Sequence, residues 1–111
     1  MNELHVHELT PFIDAQAGER PLLLDVREPW EVALAALQLP GAAALNIPLG
    51  QIPDRLAELD RSQPVVCICH HGMRSRQAVA FLLHCGFESV YNLAGGIDAW
   101  SVQVDPTVPR Y

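Results

Sequence analysis

The stretch Pro64-Val65-Val66-Cys67-Ile68-Cys69-His70-His71-Gly72-Met73-Arg74-Ser75 decides how the rest of the chain is read. Its first half is apolar and β-branched at Val65, Val66 and Ile68, and it follows the polar pair Ser62-Gln63. That pattern predicts a buried strand. From Arg74 to Cys85 the chain predicts a helix, with Ala78, Val79, Phe81, Leu82 and Leu83 as apolar surface and Gly86 as a left-handed cap. A strand that passes through a short Gly-containing loop into a helix belongs to an α/β sheet, where ligands gather at the carboxyl ends of the strands.

Outward from this stretch the same alternation repeats. Pro21–Val26, Ala43–Ile47 and Ser89–Leu93 read as further strands. Leu9–Ala17, Pro29–Leu37, Gln51–Leu59 and Gly96–Trp100 read as helices, and Ile52, Leu56 and Leu59 line one face of the third. Helices alternating with strands over the whole length predict an α/β domain with a mainly parallel sheet. The 111 residues, 50% hydrophobic and 18% charged, suit one compact soluble domain.

Charge narrows the partners. All seven basic residues are Arg, scattered along the chain, against thirteen acidic ones, for a formal net charge of -6. No basic face is available for nucleic acid. No run reaches the ~18 apolar residues of a membrane span, and the first residues lack the pattern of a signal peptide. Three cysteines, Cys67, Cys69 and Cys85, make an odd count that argues for reduced thiols in a cytoplasmic setting.

The candidate chemistry sits at Cys69. A thiol at the end of a strand, before a curled loop and a helix N-terminus, faces converging N–H groups and the positive end of a helix dipole. Such surroundings stabilise a thiolate. Gly72 lets the loop curl with positive φ, and Arg74 adds a permanent charge with a planar donor fork.

Cys69 to Arg74 resembles the active-site loop of rhodanese-domain sulfurtransferases. Three other stretches agree, in order: Leu24-Asp25-Val26-Arg27-Glu28; Leu39-Pro40-Gly41-Ala42 with Asn46-Ile47-Pro48-Leu49; and Tyr91-Asn92-Leu93-Ala94-Gly95-Gly96-Ile97-Asp98-Ala99-Trp100. The likeness runs from about residue 4 to 101. It implies a three-layer α/β/α domain over residues 1–111, with 102–111 as a tail. It also implies ping-pong sulfur transfer, in which Cys69 takes sulfane sulfur as a persulfide and passes it on. Cys69 is then the nucleophile, and the backbone of His70, His71, Gly72, Met73, Arg74 and Ser75 cradles the sulfur. Arg74 orients the loop or holds the anionic donor, or else forms a structural salt bridge with a carboxylate under the loop.

The partners so implied are a small anionic donor, thiosulfate or a persulfide, and an acceptor, cyanide or a thiol, protein thiols included. No cofactor and no metal are implied, and the working unit is a monomer or weak dimer. Many members carry Arg or Lys directly after the nucleophile; His70 and His71 stand there in this chain, which leaves persulfide and protein donors open beside thiosulfate.

Rival readings rest on the same residues. A cysteine phosphatase needs Cys-x5-Arg, whereas Cys69 and Arg74 are one residue closer. Cys67, Cys69, His70 and His71 crowd together but lack zinc-like spacing. A non-catalytic rhodanese-like binding or stress module typically lacks the loop cysteine. The other singled-out residues read as structural: Cys67 and Cys85 as core, Asp25 and Arg27 as a pair near the loop, Trp30 and Trp100 as core anchors. Met73 either lines the mouth of the site or packs on the domain.

Overall fold

The computed structural model describes residues 2–111. Its five strands are β1 (Glu3–Leu4), β2 (Leu22–Asp25), β3 (Ala43–Asn46), β4 (Val65–Ile68) and β5 (Val90–Leu93). They form one sheet in the order β1-β5-β4-β2-β3, every neighbouring pair parallel. Parallel neighbours need crossovers: α1 (Val6–Ala15) leads from β1 to β2, α2 (Pro29–Leu34) from β2 to β3 and α3 (Met73–His84) from β4 to β5, while α4 (Gly96–Gln103) follows β5.

All residues of β4 are buried, as a continuous apolar run requires when both sheet faces are covered. On one face Leu22, Leu24, Val65 and Val90 share a core with Ala78, Val79 and Leu82 of α3. On the other, Leu23, Val66, Ile68 and Leu93 share a core with α1 and α4. The result is the expected α/β/α domain.

The topology also locates a crevice. From β2 the chain crosses to the edge strand β3; from β4 it crosses the opposite way to β5. The two crossovers part above the carboxyl ends of β2 and β4, the switch point at which open α/β sheets bind ligands. Asp25 ends β2 there, and Cys69 directly follows β4.

Several local expectations are corrected. Strand β1 is too short to show a periodic pattern and is not expected from sequence, yet it pairs with Asn92 and Leu93 of β5. Helix α1 begins at Val6 rather than Leu9 because Val6, Leu9 and Ile13 share its buried face. The backbone N–H of His5 donates to Glu8 Oε1 at 2.8 Å and closes its first turn. Helix α2 stops at Leu34, and Ala35 is already extended.

Between Gln51 and Leu59 there is no α-helix but two 3-10 segments, Leu49–Gln51 and Pro53–Glu58. Pro53 has no N–H to carry an α ladder through, although Ile52 and Leu59 still bury. Trp100 is buried as expected, but Trp30 is 63% exposed. Helix α2 turns Glu31 inward and presents Trp30 and Leu34, one helical turn apart, to the outside. Val108 and Tyr111, beyond α4, fold back against the second core. Among the described residues no helix is long and apolar enough to cross a membrane.

Candidate active site

Strand β4 delivers Cys69 to the switch point, where the residue is 1% exposed. The next residues turn back on it. Gly72, at φ +100°, points its N–H at Cys69 Sγ over 3.0 Å. Ser75, in the first turn of α3, brings Oγ to 3.2 Å of the same sulfur. The first amides of α4 hold the loop from behind: Ile97 N–H donates to the Cys69 carbonyl at 2.9 Å and Asp98 N–H to that of His70 at 3.1 Å. This approach requires Gly96. A Cβ there would meet the Cys69 carbonyl oxygen at 2.5 Å and that of His70 closer still.

Arg74 does not point freely into the crevice. Its Nη1 and Nη2 donate to Glu31 Oε1 and Oε2 at 2.6 and 2.8 Å, a bidentate pair with a carboxylate only 5% exposed. Of the two readings of Arg74, the salt bridge under the loop is the one present, and it ties the loop to α2. The same Glu31 accepts from the Tyr111 hydroxyl at 2.8 Å, and that hydroxyl accepts from Arg27 Nη1 at 2.8 Å. Arg27, fully buried, is held in turn by Asp25 through Nε and Nη2 at 2.9 and 2.6 Å. Asp25, Arg27, Glu31 and Arg74 thus alternate in sign around one hydroxyl. The Arg74 guanidinium holds the Glu31 carboxyl down at about 2, while burial pushes the Tyr111 hydroxyl up and keeps it a donor.

The histidines part company. The His70 ring lies between those of Tyr111 and His71, at 3.9 Å from each. Burial pushes His70 below its ordinary value, helped by the adjacent His71, and its Nε2 is buried without a partner. His71 is exposed, with Nδ1 3.9 Å from Asp98 Oδ2. Met73 is 67% exposed, so it does not pack on the domain.

The expected loop therefore comes together at Cys69, Gly72 and Ser75, while Arg74 faces Glu31 and His71 and Met73 face outward. Cys67 is a buried neighbour in the core that Cys69 also joins, with its thiol pushed up by burial. Cys85 is only partly buried, packed at the edge of that core. Among the described residues, no three His, Cys, Asp or Glu side chains gather as a metal site.

Three residues around the loop escaped the sequence reading. Glu31 carried a weak signal, the Glu28-x-x-Glu31 capping pattern, whose Glu28 N–H to Glu31 Oε1 bond is 3.1 Å. Asn92 is a lone polar side chain inside a buried strand. Tyr111 carried no periodic signal at all.

The family model for the rhodanese-like domain matches residues 9–103. A sulfurtransferase of Allochromatium vinosum is 41% identical over 75% of this chain and 74% of its own length. Rhodanese-like/PpiC domain-containing protein 12 of Arabidopsis thaliana, described as chloroplastic, is 42% identical along the whole chain, which spans 36% of that longer protein. Among solved structures, a rhodanese-related protein from Thermoplasma volcanium superposes with a TM-score of 0.77 at 28% identity, over 94% of both chains. With its switch-point cysteine loop, its sheet order and these matches, the chain belongs to the rhodanese-like domain family.

Proposed function

We propose that the protein is a rhodanese-type sulfurtransferase working through a Cys69 persulfide, as a single domain with its core in residues 4–101 and in a cytoplasmic setting. The observation that carries the reading is the Gly72 N–H at 3.0 Å from Cys69 Sγ, in a loop that opens directly into α3. Donors oriented on a buried sulfur support charge there without reorganisation. The names of the family's sulfurtransferase members support the reaction class.

In the first half-reaction the Cys69 thiolate attacks the sulfane sulfur of thiosulfate or a thiol persulfide. The Sγ–S bond forms as the donor bond breaks, and sulfite or the donor's thiolate leaves with the electron pair. In the second, cyanide or an acceptor thiolate takes the outer sulfur and the Cys69 thiolate returns. Loop amides from His70 to Ser75 cradle the outer sulfur, Arg74 orients the loop through Glu31, and His70, His71 and Met73 border the mouth. A phosphatase reading lacks support, since Arg74 is one residue too close to the cysteine and both its terminal nitrogens are engaged by Glu31.

The test is mass spectrometry after incubation with thiosulfate or glutathione persulfide. One added sulfur maps to Cys69; Cys69→Ser loses it, and Cys67→Ser and Cys85→Ser keep it. Thiocyanate production at the wild-type rate by Cys69→Ser overturns the assignment. No sulfur gain from either donor favours a non-catalytic binding module.

A further inference from the structure

We propose that Asn92 is a positioning residue: anchored by Glu3, it fixes the Ser75 hydroxyl so that a lone pair, not a proton, faces Cys69. The geometry stands by itself, and its catalytic consequence rests on the sulfur-transfer reading above.

Asn92 is fully buried in β5. Its Nδ2 donates to Glu3 Oε1 at 3.0 Å and to the Gly72 carbonyl at 3.3 Å. Both partners only accept, so the amide nitrogen has to face them and Oδ1 has to face Ser75. Ser75 Oγ donates to that Oδ1. A hydroxyl has a single proton, and this one is committed. Toward Cys69 Sγ, 3.2 Å away, Ser75 can only accept.

The sign of this contact matters. In the resting thiol the Cys69 S–H donates to Ser75. When that proton passes to water, a charged sulfur faces an oxygen lone pair, and among the described residues the Gly72 N–H is the one hydrogen-bond donor that supports it. Sulfur loading removes the conflict: the Sγ–S bond forms, the donor's S–S bond breaks, and the leaving group keeps the electron pair. Charge then resides on the outer sulfur, while Sγ is neutral, bonded to its Cβ and to that sulfur. Asn92 thereby favours the loaded persulfide over the free thiolate. It also makes β1, the shortest strand, part of the site, because Glu3 supplies the acceptor that fixes the amide.

Other charged or titratable groups around the sulfur are unchanged by this relay. They are Cys67 on β4, Arg74 with its Glu31, Arg27 with its Asp25, His70, His71 and Asp98 at the mouth, and Tyr111. Glu3 itself also accepts from Arg76 Nη2 at 3.1 Å.

The experiment is the pH profile of Cys69 alkylation by iodoacetamide, read by mass spectrometry of the Cys69 peptide and requiring no sulfur donor. Ser75→Ala, a small change in a buried site, lowers the midpoint by about half a pH unit, because it removes the facing lone pair. Asn92→Ala lowers it by about one unit, because the freed hydroxyl turns its proton to the thiolate. In the Ser75→Ala background, Asn92→Ala adds nothing. A midpoint that stays or rises in Ser75→Ala overturns the proposal, as does an Asn92→Ala shift that persists without Ser75. Should Asn92→Ala fail to fold, the sign from Ser75→Ala decides alone. The expected midpoints together with no sulfur gain at Cys69 overturn the sulfurtransferase reading and leave the relay standing; the reverse pattern does the opposite.

Discussion

Replacing Glu31 by Gln removes the charge that Arg74 pairs with while keeping the shape of the side chain. The carboxyl sits at about 2 instead of its ordinary 4.5, chiefly through the Arg74 hydrogen bonds and against the opposing effect of burial. One unit of displacement is worth about 1.4 kcal/mol, so a dry site would supply about 3 kcal/mol. The Arg74 side chain is 35% exposed, so water screens the pair, which leaves about 2 kcal/mol. For a domain of this size that loss lowers Tm by about 8 °C.

The pH dependence gives the sharper test. A depressed carboxyl stabilises the fold fully above its unfolded value near 4.5, and the contribution fades as pH falls toward about 2. The amide of the Glu31→Gln protein does not titrate and has no such dependence. Urea denaturation of both proteins at pH 7, 5, 4 and 3.5 is therefore expected to show the full gap at pH 7 and 5. The gap narrows steadily from pH 4 downward. A gap that is constant across this range, or below about 0.5 kcal/mol at pH 7, refutes the ion pair as the source of the stability.

Other perturbations test neighbouring parts of the site. Tyr111→Phe deletes the hydroxyl shared by Arg27 and Glu31 and costs about 1–2 kcal/mol in urea denaturation; Tyr111→Ala also uncovers His70, whose NMR titration midpoint moves up as burial is relieved. Gly96→Ala drives a methyl into the Cys69 and His70 carbonyls, so it lowers stability by at least about 2 kcal/mol and abolishes sulfur loading by mass spectrometry. Trp30→Ala, on the outward face of α2, loses its edge contact with the Tyr111 ring and costs about 1 kcal/mol, measured by thermal melting.

The core strands and the cysteine loop were legible because they depend on local pattern. Val65–Ile68 is apolar throughout since both faces of a parallel strand are covered, and Gly72 marks the one loop position that takes positive φ. Strand β1 was not legible: it owes its existence to ladder bonds with Asn92 and Leu93, residues far away in sequence. Gln51–Leu59 misled because apolar spacing survives in 3-10 turns, where Pro53 forbids the α ladder. Trp30 misled for a different reason. Large aromatics usually bury, but the inward place on α2 was taken by Glu31, whose partners come from α3 and from the end of the chain. A buried carboxylate is defined by the charges it meets, and those meetings are long-range.

The same long-range pairing explains why Arg74 reads two ways. Its position next to the cysteine loop suggests a cation offered to an anionic donor, and its place in α3 would allow that. The bidentate pair with Glu31 removes the freedom to do so, since a guanidinium fork satisfied on both nitrogens gains little by turning to a mobile anion. What the pair supplies instead is rigidity. It couples α2, which follows Asp25 and Arg27 at the end of β2, to α3, which follows Cys69 at the end of β4. Both sides of the switch point are then fixed relative to each other, and the Arg74–Glu31 clamp sits beside the loop whose Gly72 N–H faces Cys69 Sγ. On the sulfur-transfer reading proposed above, the arginine serves the sulfur through geometry, and the Gly72 amide serves it through charge.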